Sequence, residues 1–162
     1  MRFLITALLF VVCHGLTRAQ APPPVDLEKE KAELLRLHRA AREAHFKTDA
    51  QMLLENAPEE FITVSGGKIN RVKRADVLKQ FEGYFSGAKY FEWDDVEEPI
   101  VNVSKDGSMA WMITRTRVRR TQRDAAGKEQ EQKFVYAGIM TYEKRDGRWV
   151  RVANVSTFEP PG

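Results

Sequence analysis

Three turn signals divide the second half of this chain: Asp106-Gly107, Asp124-Ala-Ala-Gly127 and Asp146-Gly147. They constrain the fold more than any other feature. Asp-Gly steps supply the positive-φ positions of tight hairpins. Between them lie runs rich in Val, Ile, Thr, Tyr, Phe and Trp, which suit a pleated, half-buried surface. The spacing predicts strands over about 89–104, 108–123, 128–144 and 148–158. Chain neighbours joined by such short turns pair antiparallel, giving a four-strand meander. Pro99 predicts a bulge or bend in the first, long strand.

The first half reads differently. Asp26 can cap a helix whose first turn carries Glu28 and Glu30, acids that favour its positive end. Leu27, Leu34, Leu37, Ala41, Ala44, Thr48 and Met52 fall on one stripe at helical period, with His38 and His45 inside it. A break near Thr48-Asp49 starts a short second helix that ends before Pro58. Phe61-Ile-Thr-Val64 predicts a strand and Ser65-Gly66-Gly67-Lys68 a tight turn. Val72 to Phe85 predicts a third helix, with Val72, Ala75, Leu78 and Phe81 or Phe85 inward. Helices followed by a meander give an α+β fold.

Pairing the strands through their turns yields two sheet faces. One holds Val101, Val103, Ala110, Met112, Thr114, Thr116, Val118, Val135, Ala137, Ile139, Val150, Val152, Asn154, Ser156 and Phe158. The other holds Trp111, Ile113, Arg115, Arg117, Phe134, Tyr136, Met140, Tyr142, Trp149, Arg151 and Val155. A one-residue slip at any turn would exchange these sets. Three helices cover one face only, and the small, neutral first set suits them. The second set would then expose several rings, a pattern that marks an interface. A homodimer formed back to back through this outer sheet face is the expectation.

The N-terminus reads as an address. Met1-Arg2 precedes the apolar run Phe3 to Val12, and Ala19-Gln20-Ala21 has the form a signal peptidase cleaves. The run is too short to cross a bilayer as a stop-transfer helix. The expected organisation is a signal peptide over 1–21, a proline-rich spacer over 22–25 and one domain over 26–160, with no membrane span in the mature chain. The expected location is periplasmic or secreted. Cys13, the only cysteine, leaves with the signal, because Val12 stands where a lipoprotein needs a small residue. The mature fold therefore stands on its core without a disulfide. The chain's 26 basic and 23 acidic residues include Arg2 and Arg18. Without those two the balance is nearly even, which gives no electrostatic footprint for nucleic acid.

Several segments together resemble the nuclear transport factor 2-like superfamily, in its SnoaL-like branch. Glu43-Ala-His-Phe-Lys-Thr-Asp49, Leu53-Leu54 and Ala57-Pro-Glu-Glu-Phe-Ile-Thr-Val-Ser-Gly66 resemble its helix-helix-strand opening. Asp106-Gly-Ser-Met-Ala-Trp111 resembles the start of a sheet strand, and Arg145-Asp-Gly-Arg-Trp-Val150 the last hairpin. The resemblance spans about 27–158. It implies a cone-shaped fold, N-terminal helices packed on a curved antiparallel sheet, with a pocket between them and frequent dimerisation. It implies no single activity, since the superfamily holds isomerases, dehydratases, cyclases, transport adaptors and binding domains. Steroid isomerases of this fold use a helix Tyr, a carboxylate base after the first strand and a carboxylic acid on a sheet strand. Those places here hold Ala41, Val64 or Ser65, and Ile139, so that chemistry is not expected.

The candidate chemistry is sparse. His45 and Asp49 are four residues apart, a spacing that lets a carboxylate orient an imidazole as a base. The alternative is a packed His45, with Asp49 capping the second helix. His38 and His45 are seven apart, about 10 Å along a helix, too far to share a metal directly. No metal, no cofactor, no P-loop, no nucleophile elbow and no zinc spacing is indicated. Tyr84, Trp93, Met112, Thr114, Ile139 and Asn154 are the expected ligand-binding residues of a largely apolar pocket. Arg115, Arg117 and Arg119 form a cationic strip balanced by hairpin acids, with Arg120 expected opposite Glu131 and Gln122 opposite Glu129. Three functions remain open at this point: a domain binding a small apolar organic molecule, an isomerase or lyase using general acid–base catalysis, and a protein-interaction module.

Overall fold

The computed structural model describes residues 24–124 and 126–160. The expected signal segment and the first two spacer residues lie outside the described residues. In chain order come helices α1 (Leu27–Lys47) and α2 (Ala50–Leu53), strands β1 (Glu60–Ser65) and β2 (Lys68–Lys73), helix α3 (Arg74–Phe85), and strands β3 (Ala88–Asp95), β4 (Ile100–Val103), β5 (Met109–Arg123), β6 (Glu129–Arg145) and β7 (Arg148–Phe158). The strands form one sheet in the order β2-β1-β7-β6-β5-β3, with β4 also paired to β5. Every pair is antiparallel except β1–β7. The helices pack on one face of this curved sheet, an α+β cone.

Local chemistry accounts for the elements. The Asp26 carboxylate accepts from the Lys29 amide at 3.1 Å and caps α1. Thr48, at φ 50°, ends the helix. The Asp49 carboxylate then accepts from the Met52 amide at 2.9 Å and caps α2. Gly66 and Gly67, at φ 54° and 73°, make the β1–β2 turn that a residue with a side chain would strain. Arg74, rather than Val72, opens α3. Val72 instead lies in β2 opposite Phe61, and Val77 rather than Ala75 is buried. The expected long strand over 89–104 divides into β3 and β4 around Pro99.

The face assignment changes at two places. The Asp124 turn closes with Arg123 opposite Glu129, one residue wider than expected. Arg120 therefore faces Gln132 and Gln122 faces Gln130, not Glu131 and Glu129. Every β6 side chain changes face relative to β5. Phe134, Tyr136, Met140 and Tyr142 point toward the helices, while Val135, Ala137 and Ile139 lie on the outer face. A register shift between Thr141 and Tyr142 leaves Val152 as an extra residue in β7. Trp149 and Arg151 before it, and Asn154, Ser156 and Phe158 after it, share the inner face. Val150 and Val152 do not belong to the inner set that the pattern predicted. Of the rings expected to be exposed on the outer face, Phe134, Tyr136, Tyr142 and Trp149 are inside, and Trp111 alone stays outside.

The core is packed at one end and open at the other. Leu34 and Leu37 of α1 pack with Val103, Ala110, Met112, Tyr142 and Trp149 and close the narrow end. Lys144 and Trp149 both bond to Glu30, tying β6 and β7 to α1 there. At the wide end Phe85, Tyr90, Trp93 and Val118 form a second cluster with Phe81, Phe134 and Tyr136. Leu54, Phe61 and Val77 form a third. Large rings on both layers hold helices and sheet apart there, and space remains between them.

Candidate functional site

That space is a cavity of two adjoining lobes. The aromatic lobe, about 260 Å³, is bounded by Tyr84, Tyr90, Trp93, Phe134, Tyr136 and Phe158. The mixed lobe, about 350 Å³, reaches deeper, along Phe61, Thr63, Thr114, Met140, Arg151 and Asn154. His45, Gln80, Phe81, Trp93, Tyr136 and Ser156 line both lobes. The cavity sits between α1 and α3 and the inner sheet face. Gly138 lines the mixed lobe, and a Cβ there would come within 2.8 Å of the Val155 carbonyl oxygen on β7, an approach only glycine allows.

His45 stands where the lobes meet. Its ring stacks on Trp93 with centroids 4.7 Å apart, and the edges of Tyr90 and Phe85 meet it at 5.4 and 5.6 Å. Its Nδ1–H donates to the Ala41 carbonyl at 2.7 Å, which leaves Nε2 as the bare nitrogen. Burial, with a lesser contribution from the Arg151 charge, pushes its pKa down to about 4, so His45 is neutral near pH 7. Asp49 does not meet it, because that carboxylate is occupied with the α2 cap.

The histidine with a carboxylate partner is His38. Its Nε2–H donates to both oxygens of Asp95, at 2.9 Å each, across the α1–β3 contact. His38 is buried and lines the mixed lobe. No sequence spacing joins two residues 57 positions apart.

A buried cation, Arg120, stands behind the aromatic wall. Its guanidinium lies 3.7 Å from the Tyr84 ring centroid, donates to the Tyr90 hydroxyl at 3.1 Å and donates to Gln132 at 2.8 Å. Burial raises the pKa of Tyr90 and of Tyr136, so both hydroxyls remain protonated. Thr116 is fully buried opposite Tyr136.

Of the expected ligand-binding residues, Tyr84, Trp93, Thr114 and Asn154 reach the cavity. Met112 does not: it is fully buried in the narrow-end core. Ile139 does not either, because the wider Asp124 turn puts it on the outer face between Ile113 and Val155. The acid expected of a steroid isomerase at that strand is also missing from the neighbouring inner positions, Gly138 and Met140. The sequence reading missed Tyr136, Phe134 and Arg151, all assigned to the wrong face. Among the described residues no group of three His, Cys, Asp or Glu side chains is placed to hold a metal ion.

A cone of helices on a curved sheet, with a closed narrow end and a cavity at the wide end, defines the nuclear transport factor 2-like class of protein. The SnoaL-like domain family matches residues 31–157, and the chain belongs to that family. Solved structures agree on the fold. An NTF2-like protein from Cytophaga hutchinsonii aligns with a TM-score of 0.63 at 9% identity, covering 80% of this chain and 98% of that one. A ketosteroid isomerase-like protein from Erwinia carotovora atroseptica aligns at 0.61 and 14%, covering 82% and 98%. An NTF2-like protein with a cystatin-like fold from Novosphingobium aromaticivorans aligns at 0.61 and 17%, covering 83% and 85%. No curated protein matches the chain. The fold supports a small-molecule-binding or isomerase-like domain, and no helix among the described residues is long and apolar enough to cross a membrane.

Proposed function

We propose that this protein is a periplasmic or secreted domain that holds a small, largely apolar organic molecule in the two-lobed cavity and works as a homodimer. The observation that carries the binding reading is the cavity wall: seven Phe, Tyr and Trp rings around one lobe, continuous with a second lobe that carries a few neutral polar groups. Sites for small organic ligands have this composition, an apolar body with a handful of orienting polar atoms. The signal-like start of the chain supports export.

One observation favours a second reading, general acid–base catalysis. Asp95 orients His38 beside the mixed lobe, the arrangement by which a carboxylate positions an imidazole for proton transfer. His45 suits that role less, since a base with a pKa near 4 has little drive to take a proton from carbon.

Native mass spectrometry of the protein exported to a bacterial periplasm tests both readings. The expected result is a dimer that begins at Pro22 and carries a reproducible added mass. A released ligand that the protein converts, and that His38→Asn leaves unchanged, would move the catalytic reading to the front. A monomer without added mass would overturn the binding reading and favour a protein-interaction module.

A further inference from the structure

Arg151 is the one formally charged side chain lining either lobe among the described residues. It enters from β7, just before the bulge, and its guanidinium carbon lies 5.9 Å from the Phe61 ring centroid. No carboxylate of the described residues comes within ion-pair distance of it. The other cations near the cavity are engaged. Arg42 pairs with Asp94, Lys144 with Glu30, and Arg120 is held by Tyr84, Tyr90 and Gln132. The outer strip pairs too: Arg115 with Glu159, Arg117 with Glu92 and Arg119 with Glu131. Asp95, which meets the lobe-lining His38, is taken up by it.

A half-buried guanidinium among rings and aliphatic walls loses hydration without gaining an anion. The missing partner is therefore supplied by what enters the cavity. We propose that the ligand is a small organic monoanion, an aromatic or alicyclic carboxylic acid, whose carboxylate pairs with Arg151 while its apolar body lies against the rings of the aromatic lobe. This deepens the binding reading above and rests on it. One positive charge matches one negative charge, so a carboxylate fits better than a phosphate dianion. The planar guanidinium fork also matches a carboxylate in two parallel hydrogen bonds. Thr63, Thr114 and Asn154, on the walls of the same lobe, are neutral groups that can share the carboxylate's remaining lone pairs.

Isothermal titration of the protein purified from full-length expression, with cinnamate against cinnamamide and naphthoate against naphthamide, tests this. Each pair keeps the body and removes the charge. The wild type is expected to bind each acid about tenfold or more tightly than its amide. Arg151→Met should abolish that preference, and Arg151→Lys should keep part of it. The wild-type comparison needs no variant, so a misfolded Arg151→Met cannot decide the matter. Equal affinities for acid and amide would overturn the anion site and leave the cavity-binding reading standing. An acid preference that survives in folded Arg151→Met would overturn the assignment to Arg151. Failure of all four probes to bind would overturn the anion site together with the binding reading.

Discussion

His45 shows how a single side chain can be read correctly for place and wrongly for partner. Helical period put it on the inner stripe, and there it is. Its partner is the Ala41 carbonyl one turn back, not Asp49 one turn ahead, because Asp49 is needed to start α2. The consequence is measurable. The ring charges near pH 6.5 in an unfolded chain and only at about 4 in the fold, mainly because it is buried. Between those values the unfolded state binds a proton that the folded state refuses. The stability associated with neutral His45 is thus complete above the upper value and lost as pH falls through the window, by an amount on the order of 3 kcal/mol. Denaturant midpoints measured across that window should fall with acidity in the wild type and stay flatter in His45→Gln. Parallel profiles for the two proteins would refute the assignment.

At the scale of elements, the sequence carried the order of the helices and the meander, the α1 cap and the second-helix cap, but it showed five strands where seven form, because β2 stood unmarked after the Gly66-Gly67 turn and Pro99 splits the first long strand into β3 and β4. It did not carry the parity of β6. Gly127, at φ 79°, lets the Asp124 turn take up one more residue than direct closure would. The turn signal shows that the chain reverses, but not how many residues the reversal consumes. One residue was enough to send Ile139 outward and to bring Phe134 and Tyr136 in. The bulge in β7 then restores parity beyond Val152, so Asn154 and Ser156 sit where the pattern placed them for a reason the pattern did not contain. The His38–Asp95 pair was out of reach for another cause, since it depends on how α1 crosses β3. The two ends of the cone have separable roles, and Met112 tests that. It is fully buried in the narrow-end cluster and touches neither lobe. Met112→Ala should lower unfolding free energy by about 2–5 kcal/mol while leaving cinnamate affinity unchanged. A variant of normal stability would refute the core role, and one that loses affinity while still folded would show that Met112 belongs to the site.

For the whole molecule, the helices cover the inner face and leave the outer one open. Five successive strand pairings place Ile100, Ile113, Ile139, Val155, Val64 and Ile69 side by side across that face. Ile100, Ile113, Val155 and Ile69 are exposed. This row is aliphatic, unlike the aromatic patch the sequence suggested, but it supports the same assembly. A continuous apolar row on an uncovered sheet favours pairing with an identical surface through a two-fold axis. The paired arginines, Arg115 with Glu159 and Arg117 with Glu92, lie to one side of the row and form a polar rim. Ile113 is near the centre and barely more than a third exposed. Replacing it by Glu places a carboxylate opposite its own symmetry mate and should convert the dimer to a monomer in sedimentation equilibrium. Because the side chain lies outside the core, the monomer should still fold and still bind cinnamate. A wild type that sediments as a monomer at tens of micromolar would remove the dimer. So would an Ile113→Glu variant that stays dimeric, because the contact would then lie elsewhere.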